Sequence, residues 1–87
     1  MLNSFRTGYI PKFLDVHPLK GFDEETLRKL QDSSVDEFRI KHLNLMYNQQ
    51  EDRFYCLVEA PNKQAVENHH NKNGVKCEWV TEVKTTV

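Results

Sequence analysis

The chain has 87 residues, which limits it to one domain with a single small core. Twelve basic residues stand against thirteen acidic ones with no long run of either sign, which argues against the basic patch of a nucleic-acid or anionic-membrane surface. Hydrophobic content is 38% and nowhere forms the roughly 18-residue apolar stretch of a membrane span, so the composition reads as globular.

Residues 1–10 precede the first patterned segment. Leu2, Phe5, Tyr9 and Ile10 are scattered among polar residues, without the apolar stretch of a secretion signal, and read as an N-terminal extension to a single domain over 11–87. Pro11 to His17, carrying Phe13, Leu14 and Val16, reads as a strand, and Pro18 and Gly21 break it. Asp23 then stands as the N-cap of a helix reaching about Asp32, with Glu24 and Glu25 in its first turn and Leu27 and Leu30 facing inward.

Phe38 to Tyr47 is the second expected strand and Phe54 to Ala60 the third, joined by the polar loop from Asn48 to Asp52 as a hairpin. Pro61 ends the third strand, Asn62 caps a second helix to about Lys72, and Asn73-Gly74 stops it. Cys77 to Lys84, with Trp79, Val80 and Val83, makes the fourth strand. The order β-α-β-β-α-β predicts an α+β, ferredoxin-like sandwich: four antiparallel strands ordered 4-1-3-2, with both helices on one face.

A hairpin symmetric about Gln50 places Leu43, Leu45, Tyr55, Leu57, Lys41 and Glu59 on one side and His42, Asn44, Met46, Phe54, Cys56 and Val58 on the other. A one-residue bulge would exchange those faces. Both faces are substantially apolar and two helices cover only one, so a homodimer through the second sheet face is expected, with function on that face.

The candidate chemistry begins with Asp15 and His17. Two apart on a strand, they project from one face, which suits a metal half-site, a base with its orienter, or an ordinary hydrogen-bonded pair. His42, His69 and His70 lie on other expected elements and offer further donors. His69 follows Ala65 by four residues and lies nearer the inner stripe, whereas His70 follows Val66 by four and flanks it; the bland alternative is one partly buried and one solvated imidazole. Cys56 and Cys77 lack metal-finger spacing and read as free thiols of a reducing, cytoplasmic protein, each either a soft ligand or a small buried residue, with Cys56 the one placed among the site candidates. Glu59 is either a ligand or the partner of Lys41, and Tyr47 and Tyr55 are either acid/base groups or packing residues. No phosphate loop, dinucleotide fingerprint or nucleophile elbow occurs.

The segments Phe13-Leu14-Asp15-Val16-His17, Gly21 before an acidic helix start, Tyr55-Cys56-Leu57-Val58-Glu59-Ala60-Pro61, and a helix ending in histidine before Gly74 resemble a small bacterial and archaeal family of nickel-binding, ferredoxin-like proteins. The likeness spans residues 12–84. It implies a homodimer that binds nickel, with Asp15, His17, Cys56 and His69 or His70 at the matching positions. The chain departs from the family pattern at Gln31 and Ser34, where histidine and aspartate are frequent, and at Met46, where tryptophan often stands. The leading expectation is a non-enzymatic transition-metal protein of storage or homeostasis, with His17 as primary ligand. The alternatives are a cofactor-free enzyme or small-ligand binder of the dimeric α+β-barrel type, using His17 as base with Asp15, and a structural subunit.

Overall fold

The computed structural model describes residues 10–74 and 77–86; all but the last residue of the expected N-terminal extension lies outside them. The elements follow the expected order: β1 (Lys12–Pro18), α1 (Glu24–Gln31), β2 (Lys41–Asn48), β3 (Arg53–Glu59), α2 (Lys63–Asn73) and β4 (Trp79–Val83). All strand pairs are antiparallel, in one open sheet ordered β2-β3-β1-β4, which from the other edge runs β4-β1-β3-β2.

Each helix starts where its cap chemistry placed it. The Asp23 carboxylate accepts from Thr26 N–H at 2.9 Å, and the Asn62 side chain accepts from Ala65 N–H at 2.8 Å, each satisfying an otherwise orphaned first-turn donor. Gly74 ends α2 in the left-handed conformation at φ 66°, which a side chain would strain.

Strand alternation in β1 puts Phe13, Asp15 and His17 on one face, opposite Val58, Cys56 and Phe54 of β3. Phe13, Phe54, Cys56 and Val58 form a single buried cluster with Leu27 of α1 and Val66 of α2, so both helices cover this face. The other face carries Leu14 and Val16 of β1, Tyr55 and Leu57 of β3, Met46 of β2 and Trp79 of β4, of which Met46 and Trp79 are 41% and 46% exposed.

Two expectations about β2 are corrected. The strand begins at Lys41, because the Asp36 carboxylate accepts from the N–H groups of Phe38 and Ile40 at 3.0 and 3.2 Å and turns the chain there, with Arg39 at φ 63°. The hairpin is also not symmetric about Gln50: Asn48 pairs with Arg53, Tyr47 with Phe54, Met46 with Tyr55 and Leu45 with Cys56. A bulge between His42 and Asn44 then restores His42 to its expected place opposite Val58. Leu45 therefore faces the helices and Met46 the open side, the reverse of the symmetric hairpin.

Candidate metal centre

Asp15 and His17 are 0% and 1% exposed, lying beneath α2 on the helix-covered face and not on the open face where function was expected. The physical reason is the pleat: the residues sharing their side of β1 and β3 are the apolar ones that α1 and α2 bury. His70 of α2 comes down onto the pair. Its ring meets that of His17 edge-on at 4.5 Å, and its Nε2 lies 3.3 Å from one Asp15 oxygen, while Nε2 of His17 lies 2.8 Å from the other.

Both Asp15 oxygens, and Nδ1 of His70, are buried without a hydrogen-bond partner. A buried carboxylate in that condition is costly unless a cation or donor is supplied. Burial is the largest single influence on the Asp15 carboxyl and pushes its pKa up, but His17 and His70 together outweigh it and hold the group below its ordinary value. The site favours the ionised carboxylate.

Cys56 faces Asp15 across the β1–β3 ladder, and Asp15, His17 and Cys56 each bring one donor atom within 4.8 Å of the others. Burial, reinforced by the Asp15 charge, pushes the Cys56 thiol far up, so the free side chain is a neutral thiol. Cys77, the other cysteine weighed as a soft ligand, forms a second such group with His17 and His70. Its thiol is pushed up to about 11, by burial first and then by Asp15.

His69 takes a different partner. Its Nδ1 pairs with the Asp36 carboxylate, and its ring meets those of His70 at 5.6 Å and His42 at 5.7 Å. The inner stripe of α2 thus runs from Val66 to His70, both buried, with His69 beside it, contrary to the expectation that His69 lay nearer the core. All four histidines line one cavity of about 290 Å³, together with Asp36, Cys56, Phe54 and Ser34. Nδ1 of His42 is also buried without a hydrogen-bond partner, and burial, then the neighbouring His69, lowers its pKa.

The remaining candidates have other surroundings. Gln31 accepts from Leu45 N–H at 3.0 Å, tying α1 to β2, whereas Ser34 borders the histidine cavity. The Tyr47 hydroxyl donates to Glu24 at 2.8 Å. Glu59 lies opposite both Lys12 and Lys41, and Tyr55 shares its side of β3, both turned from the histidines. Because His17 also faces the helices, a ligand enclosed between the open faces of two sheets would not meet it.

Asp36 escaped sequence reasoning, and Cys77 was weighed as a soft ligand but not placed in the site. The only local sign for Asp36 was its turn chemistry, an aspartate two residues before Phe38, and nothing beside Cys77 in the sequence chose between ligand and packing residue, since its neighbours in the site come from β1 and α2. Imidazole, carboxylate and thiol donors in this number suit a divalent transition metal, the buried Asp15 oxygens supply unsatisfied lone pairs for one, and His70 Nδ1 is a further ring nitrogen without a partner. The donors fit such an ion.

Fold and cluster together define a small α+β domain with a buried histidine–carboxylate–thiol centre. Residues 13–83 match the family described as nickel-responsive protein SCO4226-like, and the chain belongs to that family. Comparison with curated proteins yields no match, and comparison with solved structures yields none.

Proposed function

We propose that this domain binds a divalent transition-metal ion, nickel by its family, without catalysing a reaction, and serves in metal storage or homeostasis. His17 and Asp15 are the central ligands, His70 completes the set from α2, and Cys56 borders it. His69, held by Asp36, lies at the outer edge of the same cavity. The observation that carries the reading is Asp15: a fully buried carboxylate, without a hydrogen-bond partner, approached by two imidazole nitrogens. A bound cation would neutralise it and draw the lone pairs of both rings to one point.

Calorimetric titration with nickel tests this on wild type, His17→Ala and His70→Ala. Wild-type binding that weakens at least tenfold in both variants is expected. No heat in the wild type, or equal affinity in all three, overturns the proposal.

The order β4-β1-β3-β2, with both helices over one face, supports the ferredoxin-like reading of the α+β fold. We also propose that two copies associate through the open sheet face as a homodimer, on the strength of Met46, Trp79, Leu14, Tyr55 and Leu57 sharing that face. Among the described residues no helix is long and apolar enough to cross a membrane, and Cys56 and Cys77 are both free thiols, which supports a reducing, cytoplasmic setting.

A further inference from the structure

We propose that Cys77 forms a soft-donor cation site with His17 and His70, in which two imidazoles and one thiolate hold a zinc ion at the inner end of the groove between α2 and β4. This rests on the metal-binding reading of the two histidines and adds a ligand, a metal preference and a direction of approach.

The three residues reach one point from three elements. His17 comes from β1, His70 from α2, and Cys77 from the segment leading into β4, with one donor atom of each within 4.8 Å of the others. Zinc bonds of about 2.0–2.1 Å to nitrogen and about 2.3 Å to sulfur, at tetrahedral angles, set donor separations of roughly 3.3–3.8 Å. Closing the site therefore takes side-chain movements of about 1 Å. The backbone is already in place, because Glu78 N–H donates to Val16 O at 2.9 Å and fixes the Cys77 segment beside β1.

The thiol is not the only feature pointing to a ligand. His70 is 7% exposed, and its Nδ1 is buried without a hydrogen-bond partner. Among the described residues the Cys77 thiol donates weakly to Trp79 O at 3.3 Å and also meets the Val16 backbone, contacts that coordination would replace as the thiol proton leaves to solvent. Cys77 is half-buried where Cys56 is buried, and it lines a groove of about 570 Å³ with Glu67, His70 and Trp79.

His70 lines both this groove and the four-histidine cavity, so it is a wall common to the two. An ion entering by the groove meets Cys77 and His70 before it reaches Asp15. Two nitrogens and one sulfur favour zinc over harder cations and leave a fourth position open. The set further in, Asp15, His17 and Cys56, has a carboxylate oxygen in place of one imidazole and is the harder of the two. His17 belongs to both sets, so the two sites compete for it.

Cobalt(II), a spectroscopic substitute for zinc, tests the proposal on the metal-free full-length protein, on Cys77→Ser and on Cys56→Ser. The wild type and Cys56→Ser are expected to show the near-ultraviolet thiolate-to-cobalt charge-transfer band. Cys77→Ser is expected to lose it while still binding cobalt, and zinc should displace cobalt from it at least tenfold less effectively. Cobalt binding without the band overturns thiolate ligation and leaves the histidine–carboxylate reading intact. A band that persists in Cys77→Ser and vanishes in Cys56→Ser transfers the ligation inward and overturns this site. Failure of the wild type to bind either cobalt or nickel overturns both readings.

Discussion

Asp15 concentrates the energetic tension of the molecule. Its burial alone would favour the neutral acid, and only the two imidazoles keep the carboxylate charged. Because its folded pKa lies below the ordinary 3.8, its contribution to stability is present above that value and is lost as pH falls through the folded pKa. A metal that binds only the folded state adds stability by mass action, about 2.7 kcal/mol at a free concentration 100 times its Kd. Nickel at that level is expected to raise the urea midpoint of the wild type and to leave that of Asp15→Asn unchanged; an equal rise in both would show that Asp15 is not a ligand. His42 works in the same proton sense, nearer neutral pH. Its folded pKa lies below the ordinary 6.5, so the unfolded chain binds more protons just below that value and stability falls as the solution is acidified through it. In the presence of chelator, going from about pH 7.5 to about pH 5.5 should cost the wild type more stability than His42→Gln, as read from urea midpoints. Parallel losses would show that His42 does not carry the dependence.

At the scale of elements, α2 and the bulge in β2 do the positioning. Asn62 and Gly74 close the two ends of α2, and between them the helix presents Val66 and His70 inward with His69 at the side, toward Asp36 and His42. Asn62→Ala removes the side-chain acceptor for Ala65 N–H and should cost about 1 kcal/mol in urea unfolding. Gly74→Ala forces a side chain into the left-handed region and should likewise cost about 1 kcal/mol, with no steric collision to add to it. A loss below a few tenths of a kcal/mol in either variant would show a frayed end that contributes little. The bulge is the subtler device. Carried on without it, the pairing set at the turn would place Leu43 opposite Val58 and His42 opposite Glu59, on the far side of the sheet from His69. The extra residue at Leu43 returns His42 to the cavity.

For the whole molecule, the division of the sheet into two faces separates two tasks. The helix-covered face holds the buried polar cluster in an apolar surround, and the open face holds Leu14, Met46, Tyr55, Leu57 and Trp79. Light scattering at tens of micromolar should give twice the 10.3 kDa chain mass. Pairing Met46→Lys with Trp79→Glu places charges on that face and should yield the monomer with nickel affinity unchanged. A wild-type monomer under these conditions would overturn the dimer, and a variant that stays dimeric would move the interface elsewhere.

Much of this architecture follows from chemistry that acts over a few residues. The caps Asp23 and Asn62, the stop at Gly74 and the breaks at Pro18 and Pro61 marked the elements, and the two-residue pleat of β1 set Asp15 and His17 side by side. These signals are legible because their partners lie within one turn or one strand. Three features were decided only when distant segments met. The face on which the pair lies depended on which side α1 and α2 covered. The exchange of Leu45 and Met46 depended on the register set at the turn, where Asn48 pairs with Arg53, and the return of His42 on one unpaired residue at Leu43. The company of the site, with His70 on Asp15, Asp36 on His69 and Cys77 beside His17, joins residues from different elements, and spacing along a chain carries no record of such contacts.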